Sequence, residues 1–289
     1  MRSPPKVSGV VSWFRRECRG RFASAVLPRE RTNTKARMTR RRFFAPPSAF
    51  ASDFKSTTLK ADESKHLRDV LRLKVGDEVY VFDGHGREFT CRIAQTDRDF
   101  TELSIISEVE PARAESPLHL TLAMALLKGE KFDVVVQKAT ELGVASIVPV
   151  ITKLADIRLR DESDAKKRVL RWQRIALEAA KQSGRAVVPE VVTPEMFASL
   201  LETRGSEQNR VLFSEREGQS LMEFKRLLPP NASSLFALLG SEGGWTDEEL
   251  DDARSAGWSI VTLGGRTLRA ETAAIAVTTL LQHMFGDLR

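Results

Sequence analysis

The chain has 289 residues, which is enough for one large or two medium domains with apolar cores. No stretch approaches the roughly 20 consecutive apolar residues of a membrane helix. Two cysteines and four scattered histidines exclude a disulfide framework and predict no structural metal. The net charge of +6 is uneven, because residues 1–42 carry 13 Lys and Arg against 2 acidic residues, whereas the rest has 32 against 37. The body is therefore mildly acidic, and a high isoelectric point does not by itself indicate nucleic-acid binding.

Residues 1–37 are rich in Arg, Ser and Pro and have no sustained hydrophobic period. Three interpretations fit this segment: a disordered basic arm, a mitochondrial transit peptide, or an upstream extension of a reading frame that starts at Met38. Under each of them, residues 1–37 are predicted to lie outside the fold.

Residues 38–112 are predicted to form a small β-barrel. Short alternating runs at 79–84, 88–93 and 101–109 are typical of strands separated by turns. Residues 60–71 are the exception, because apolar residues recur there at helical spacing.

Residues 111–117, with two prolines, are predicted to be a linker, and the boundary of the second predicted domain, 113–289, falls within it. Beyond the linker the pattern of the sequence changes. Strand patterns at 118–126, 146–151, 209–213, 234–239 and 258–263 alternate with helical patterns at 130–142, 164–183, 194–203, 219–227, 246–256 and 270–285. This alternation predicts an α/β domain with a mainly parallel sheet that is covered by helices on both faces.

Two glycine-rich segments, 239–245 and 263–273, follow the last two predicted strands. Ligands of open α/β sheets bind at the carboxyl ends of the strands, and glycine there lets the backbone approach a ligand closely. The chain has no G-x-G-x-x-G after the first strand of this region and no P-loop motif, which argues against a dinucleotide site and against NTP hydrolysis. A tight strand-to-helix turn with ordinary caps is the alternative interpretation of each segment.

The sequences GSEGGW (240–245) and LGGRTLRAETA (263–273) closely resemble the closing signature of the ribosomal RNA small subunit methyltransferase E family, of the SPOUT superfamily. The similarity extends through KGEK (128–131), QKATELGV (137–144), EAAKQSGR (178–185) and HLRDVLRLKVGD (66–77), in the same order. The resemblance implies a homodimer that binds S-adenosylmethionine in a C-terminal trefoil knot and methylates N3 of a uridine in 16S rRNA, free or in the small ribosomal subunit. It also implies that the barrel is PUA-like and helps to bind RNA. The methyl transfer that it implies requires no metal.

The candidate site residues fall into three groups, chosen by their residue type, their charge and their position in these segments. The cofactor-binding candidates are Leu239, Gly240, Glu242, Gly243, Leu263, Gly264, Leu268 and Thr272. The catalytic candidates are Arg269 and then Arg185, to stabilise the uridine anion, and Glu242, to accept a proton, with Glu271 as the alternative acceptor. The RNA-binding candidates are Arg41, Arg42, Arg68, Arg72, Lys128, Lys131 and Lys138. Helix caps, solvated helix faces and core packing are the ordinary alternatives for these residue types.

Three other functions stay open at the level of sequence. They are a SPOUT enzyme that acts on tRNA or on a ribose 2′-oxygen, a non-catalytic RNA-binding module on the same scaffold, and a binding protein that depends on its basic tail. The predicted location is the bacterial cytoplasm, and the N-terminal segment alone leaves mitochondria open.

Overall fold

The computed structural model describes residues 40–157, 159–203 and 209–288, which belong to one compact unit. The segment 1–37, predicted to lie outside the fold, is outside the described residues. The strands are β1 (Arg42–Phe44), β2 (Ser56–Leu59), β3 (Glu78–Phe82), β4 (Glu88–Thr96), β5 (Thr101–Val109), β6 (His119–Ala125), β7 (Ser146–Ile151), β8 (Glu190–Val191), β9 (Glu195–Met196), β10 (Arg210–Phe213), β11 (Gln219–Ser220), β12 (Ser234–Leu239) and β13 (Ser259–Thr262). The helices are α1 (Ala61–Lys65), α2 (Lys131–Glu141), α3 (Glu162–Ser183), α4 (Phe197–Thr203), α5 (Leu221–Leu227), α6 (Asp247–Ser255) and α7 (Ala270–Phe285).

Strands β1 to β5 form a five-stranded sheet, here called the N-terminal sheet, in the order β1-β3-β4-β5-β2. Its core contains alternate residues of the strands, such as Val79 and Val81 of β3 and Leu103 of β5. This is the small β unit that the alternating runs predict, in the form of a curled half-barrel. The predicted helix at 60–71 is shorter: α1 is followed by one π-helical turn that ends at Val70.

The remaining strands form an eight-stranded parallel sheet, here called the C-terminal sheet, in the order β11-β13-β10-β12-β6-β7-β8, with β9 also paired to β7. The prediction of an α/β unit with a parallel sheet is confirmed. Strands β8, β9 and β11 are two residues long, which is too short to produce a hydrophobic period.

Both faces of the C-terminal sheet are buried, as predicted. In β12, Leu235, Ala237 and Leu239 point into one apolar cluster, and Phe236 and Leu238 point into another. The first cluster includes side chains of α2, α3, α5 and α7, and the second includes side chains of α4 and α6. Because successive strand residues point to opposite faces, a strand covered on both sides has a continuous apolar sequence.

The strand order brings the two glycine segments together. Strands β12 and β13 are the two neighbours of β10, and all three run parallel. Their carboxyl ends therefore lie at one edge of the sheet, where Phe213, Leu239 and Thr262 are the last strand residues. The trefoil knot stays a prediction of the resemblance.

Candidate active site

A cavity of about 550 Å³ opens at this edge, between the ends of β10, β12 and β13 and the start of α7. Its volume lies within the range usual for small-molecule sites. Five of the residues that form its walls are glycines. The walls are formed by Lys131, Phe213, Ser214, Glu215, Leu239, Gly240, Ser241, Glu242, Gly243, Gly244, Thr262, Leu263, Gly264, Gly265, Arg266, Thr267, Leu268, Arg269, Ala270, Ala273 and Val277.

The first glycine loop follows β12 and packs closely against β10 and Leu154. The indole N–H of the buried Trp245 donates to the carbonyl of Phe213 at 2.9 Å, which ties the loop to β10. A Cβ atom on Gly243 would lie 2.9 Å from Cβ of Leu154 and 3.0 Å from its carbonyl oxygen. Gly244 has a φ of +67°, and a Cβ atom there would collide with the carboxylate of Glu215. The loop therefore requires glycine at both positions.

The second glycine loop follows β13 and is much more open. Residues 263–269 are all exposed, and within this loop the backbone N–H of Gly264 donates to the hydroxyl of Thr262 at 3.2 Å. Arg266 and Arg269 both line the cavity, and the side chain of neither forms a hydrogen bond or an ion pair with any residue of the described ranges. Arg269 directly precedes α7, where the helix dipole does not favour a cation. An anionic ligand would give these two guanidinium groups a partner.

Glu242 and Lys131 form a charged pair at the cavity wall. The ammonium of Lys131 donates to the Glu242 carboxylate at 2.8 Å. Partial burial acts to raise the pKa of Glu242, but the hydrogen bond from Lys131, backbone donors and the charge of Lys131 outweigh it. The net effect lowers the pKa of Glu242. The carboxylate is therefore ionised at neutral pH and is a weak base.

The predicted cofactor residues gather at this cavity with one exception. Those that line it are Leu239, Gly240, Glu242, Gly243, Leu263, Gly264 and Leu268. Thr272 lies on the first turn of α7, is exposed and does not line the cavity, although Ala273 beside it does. Of the catalytic candidates, Arg269 and Glu242 are at the cavity.

Arg185 lies outside the cavity, and its surroundings indicate a structural role in place of the catalytic one considered above. The residue is 5% exposed. Its guanidinium pairs with Glu115 at 2.7 Å and donates to the carbonyls of Thr140 and Val144. With these donors already used, Arg185 holds the segment between α2 and β7 in place.

Arg42 is also buried, which does not support a contact with RNA. Its side chain is 6% exposed and pairs with the fully buried Glu88 at 3.1 Å. The same guanidinium donates to the carbonyls of Lys181 and Arg185 at the end of α3. Arg42 therefore joins the N-terminal sheet to α3.

The other predicted RNA-binding cations differ in how free they are. Three of them form ion pairs within the chain: Lys128 with Asp156, Lys138 with Glu141, and Arg68 with Asp69. Lys131, at the cavity, is paired with Glu242. Arg41 and Arg72 are exposed and make no hydrogen bond or ion pair through their side chains within the described part of the chain.

Sequence reasoning missed several cavity residues. Arg266 lies inside the second motif and was available from its position there, and Glu215 follows the strand 209–213 at the carboxyl edge. Ala273 and Val277, one helical turn apart on α7, carried no signal of a ligand. Ser241 is 6% exposed, and its hydroxyl oxygen has no hydrogen-bond partner in the described residues.

The described ranges contain no group of three or more His, Cys, Asp or Glu side chains that could hold a metal ion. None of the helices in those ranges has the length and apolar character needed to cross a bilayer.

Two family models match the chain, one in the region of the N-terminal sheet and one in the region of the C-terminal sheet. The model of the RNA methyltransferase PUA domain matches residues 59–106, and the model of the RNA methyltransferase domain matches residues 114–282. The second match includes every cavity residue.

Curated relatives carry the name ribosomal RNA small subunit methyltransferase E. The protein of Bacillus subtilis is 30% identical over 236 residues, which cover 80% of this chain and 91% of the relative. The protein of Synechocystis is 33% identical over 219 residues, which cover 75% of this chain and 70% of the relative.

Two solved structures are similar over most of the chain. The ribosomal RNA small subunit methyltransferase E of Neisseria gonorrhoeae, bound to S-adenosyl methionine, has a TM-score of 0.76 at 33% identity, covering 86% of this chain and all of that one. A methyltransferase of Legionella pneumophila in complex with the cofactor SAM has a TM-score of 0.77 at 30% identity, covering 87% of this chain and all of that one.

Proposed function

The chain belongs to the ribosomal RNA small subunit methyltransferase E family, and from that premise we propose that it transfers a methyl group from S-adenosylmethionine to N3 of a uridine in 16S rRNA. The observation that carries the proposal is the cavity between the two glycine loops. It combines five glycines with two arginines whose side chains have no ion-pair partner among the described residues. Relatives of the same fold, at 30% and 33% identity, bind the cofactor.

The cavity residues suit S-adenosylmethionine. Its amino-acid portion carries both charges, and the pair of Glu242 and Lys131 offers both at the cavity wall. The hydroxyl of Ser241 is a buried polar group in that wall that has no hydrogen-bond partner among the described residues. The main chain of Leu239, Gly240 and Leu263 offers amide and carbonyl groups to the adenine. Bound there, the cofactor supplies an electrophilic methyl group on a cationic sulfur, so no metal is needed.

Arg269 stabilises the negative charge that uridine develops when N3 loses its proton. N3 is a poor nucleophile until that proton leaves, and a fixed cation beside the base makes its loss easier. The guanidinium of Arg269 has no partner in the described residues, so it is available without breaking an existing ion pair. The N3 lone pair then forms the new bond to the methyl carbon as the sulfur–carbon bond breaks.

Glu242 acts on the cofactor and does not serve as the general base. A carboxylate with a lowered pKa holds a proton poorly near neutral pH. Residues 263–269 are exposed, so the cavity is open to solvent on that side, and we infer that water takes the N3 proton. This assignment changes the role considered above, in which Glu242 accepts the proton.

A product analysis tests the function. The full chain is incubated with methyl-labelled S-adenosylmethionine and either small ribosomal subunits that lack the modification, their protein-free 16S rRNA, or tRNA. Digestion to nucleosides should place the label on N3-methyluridine from small-subunit RNA. Label in tRNA or on a ribose 2′-oxygen would contradict the proposal and favour another SPOUT activity.

The active form is proposed to be a homodimer in the cytoplasm, where small subunits are assembled. Leu263 and Leu268 of the second glycine loop and Leu280 of α7 are exposed apolar side chains that a second copy would cover. Sedimentation should give twice the chain mass, and a monomer with full activity would contradict a dimeric active form.

A further inference from the structure

Glu215 is an acid at the cavity wall that has no part in the function proposed above. It comes two residues after the end of β10, the strand that lies between β12 and β13, and so it enters the cavity between the two glycine loops. Its side chain is 39% exposed, and within the described ranges its carboxylate accepts no hydrogen bond. A carboxylate in this position is free to bind a cationic group of a ligand.

The backbone on either side of Glu215 is held in place. The N–H of Ser214 donates to the carbonyl of Val261 in β13 at 2.9 Å. The N–H of Arg216 donates to the hydroxyl of Ser214 at 3.3 Å, which closes a short turn around Glu215. These contacts limit the positions that the Glu215 side chain can take.

The first glycine loop leaves room for this carboxylate. Gly244 has a φ of +67°, and a Cβ atom there would lie 3.0 Å from the carboxyl carbon of Glu215 and closer still to one of its oxygens. Gly244 itself lines the cavity. The carboxylate therefore lies against main chain of the cavity wall, in space that any other residue at position 244 would occupy.

Arg216, the neighbouring cation, interacts mainly with other groups. Its guanidinium is 3.8 Å from the Glu215 carboxylate, but it pairs with Asp247 at 2.9 Å and donates to the carbonyl of Trp245 at 2.7 Å. Much of the charge of Glu215 is therefore left without a close partner among the described residues.

The charges at the cavity are divided between its two sides. Glu215 and Glu242 follow β10 and β12, whereas Arg266 and Arg269 belong to the second glycine loop, after β13. Lys131 already forms an ion pair with Glu242. A cationic ligand group would be repelled by the two arginines and attracted by Glu215, which is the cavity acid in the described ranges without a hydrogen-bond donor.

We propose that Glu215 stabilises the sulfonium of S-adenosylmethionine and thereby distinguishes the cofactor from its demethylated product, S-adenosylhomocysteine. The inference rests on the proposed function and adds to it the residue that recognises the charge of the cofactor. When the methyl group leaves, the electrons of the sulfur–carbon bond remain on sulfur, and the cation becomes a neutral thioether. The attraction to Glu215 then ends, which favours release of the product. The amino group, which cofactor and product share, is assigned to Glu242.

The replacement Glu215→Gln in the full chain tests the inference by calorimetric titration without RNA. The dissociation constant for S-adenosylmethionine should rise about tenfold, the size of one partly screened ion pair. That for S-adenosylhomocysteine should stay the same. Sinefungin, which has a protonated amino group in place of the sulfonium methyl group, should lose affinity as S-adenosylmethionine does. Thermal melting should match the parent, because the side chain is exposed and accepts no hydrogen bond within the described ranges.

Glu217→Gln is the matched control. Glu217 lies two positions further along the same segment, is exposed, pairs with Arg254 and does not line the cavity. Its replacement removes the same charge and should leave both dissociation constants as in the parent. Equal losses of affinity for S-adenosylmethionine in the two variants would overturn the proposal, because they would show that only net charge matters.

Two further results would also overturn it. One is an equal loss of affinity for cofactor and product in Glu215→Gln, which would place Glu215 at a group that both share, such as the ribose or the amino group. The other is parent-like affinity for S-adenosylmethionine in Glu215→Gln. In both cases the parent still binds the cofactor, whereas failure of the proposed function would appear as no binding by the parent.

Discussion

Arg269 is the residue on which the chemistry depends most. It lies at the cavity beside the start of α7, and it has no ion-pair partner among the residues that the structure describes. The replacement Arg269→Gln should lower kcat about 100-fold, the usual cost of removing one donor that stabilises developing charge. Affinity for S-adenosylmethionine and thermal stability should change little, because the side chain is exposed and unpaired.

The matched control is Arg226→Gln on α5, an exposed arginine outside the cavity. It should retain the parent kcat for methyl transfer. Equal losses in the two variants would mean that Arg269 acts only through the net charge of the enzyme.

Glu242 leads to a prediction about pH. Its pKa is lowered in the folded protein, so the carboxylate stays ionised from pH 5 upward and only becomes protonated in more acidic solution. The rate kcat should therefore rise with pH as uridine N3 ionises, with no separate limb from Glu242 between pH 5 and 8. A limb in that window that disappears in Glu242→Gln would show that Glu242 is the general base after all.

The sequence did not allow us to predict which carboxylate each arginine pairs with. Arg185 pairs with Glu115, which is 70 positions away, and Arg42 with Glu88, which is 46 positions away. No local period reports such pairs, because they depend on how the elements pack. The cavity residues inside the two motifs were predictable, since strand ends and glycines mark them in the sequence.

At the scale of elements, Glu88 is the group that connects β4 to its surroundings. It is fully buried, and it accepts hydrogen bonds from Arg40, from Arg42 and from the backbone N–H of Ala112. Glu88→Gln would leave two guanidinium groups without their counter-charge. The free energy of unfolding should fall by about 3 kcal/mol, as when one partner of a buried pair is removed, and urea denaturation measures it.

Glu108→Gln on β5 is the appropriate comparison. Glu108 also pairs with an arginine, Arg87, at 2.7 Å, but the two side chains are 53% and 41% exposed. Solvent screens such pairs, so the change should stay below about 1 kcal/mol. Similar losses in Glu88→Gln and Glu108→Gln would mean that burial of Glu88 does not determine its contribution.

The long elements were predictable from the sequence and the short ones were not. Helices α3 and α7 begin and end within about two residues of their predicted limits, because each has a full apolar stripe. The two-residue strands β8, β9 and β11 exist only through pairing with a neighbouring strand. The π-helical turn after α1 contains the fully buried Leu67, and no hydrophobic period in the sequence distinguishes such a turn from an α-helix.

At the scale of the whole molecule, α3 connects the N-terminal sheet to the elements around the cavity. Its end meets β1 through Arg42, and Lys181 pairs with Glu63 of α1 at 2.7 Å. Nearer its start, Arg171 pairs with Asp133 of α2, the helix that supplies Lys131 to the cavity. The N-terminal sheet and the cavity are thus held by one framework.

The central claim is that the two glycine loops hold S-adenosylmethionine, and calorimetric titration of the full chain tests it most directly. The parent should bind one cofactor per chain. Gly243→Val should lose binding, because its side chain collides with Leu154, and so should Ala273→Leu, which fills the cavity from α7. Thermal melting should show both variants folded. Undiminished binding in both variants, or no binding by the parent with small-subunit RNA present, would contradict the account.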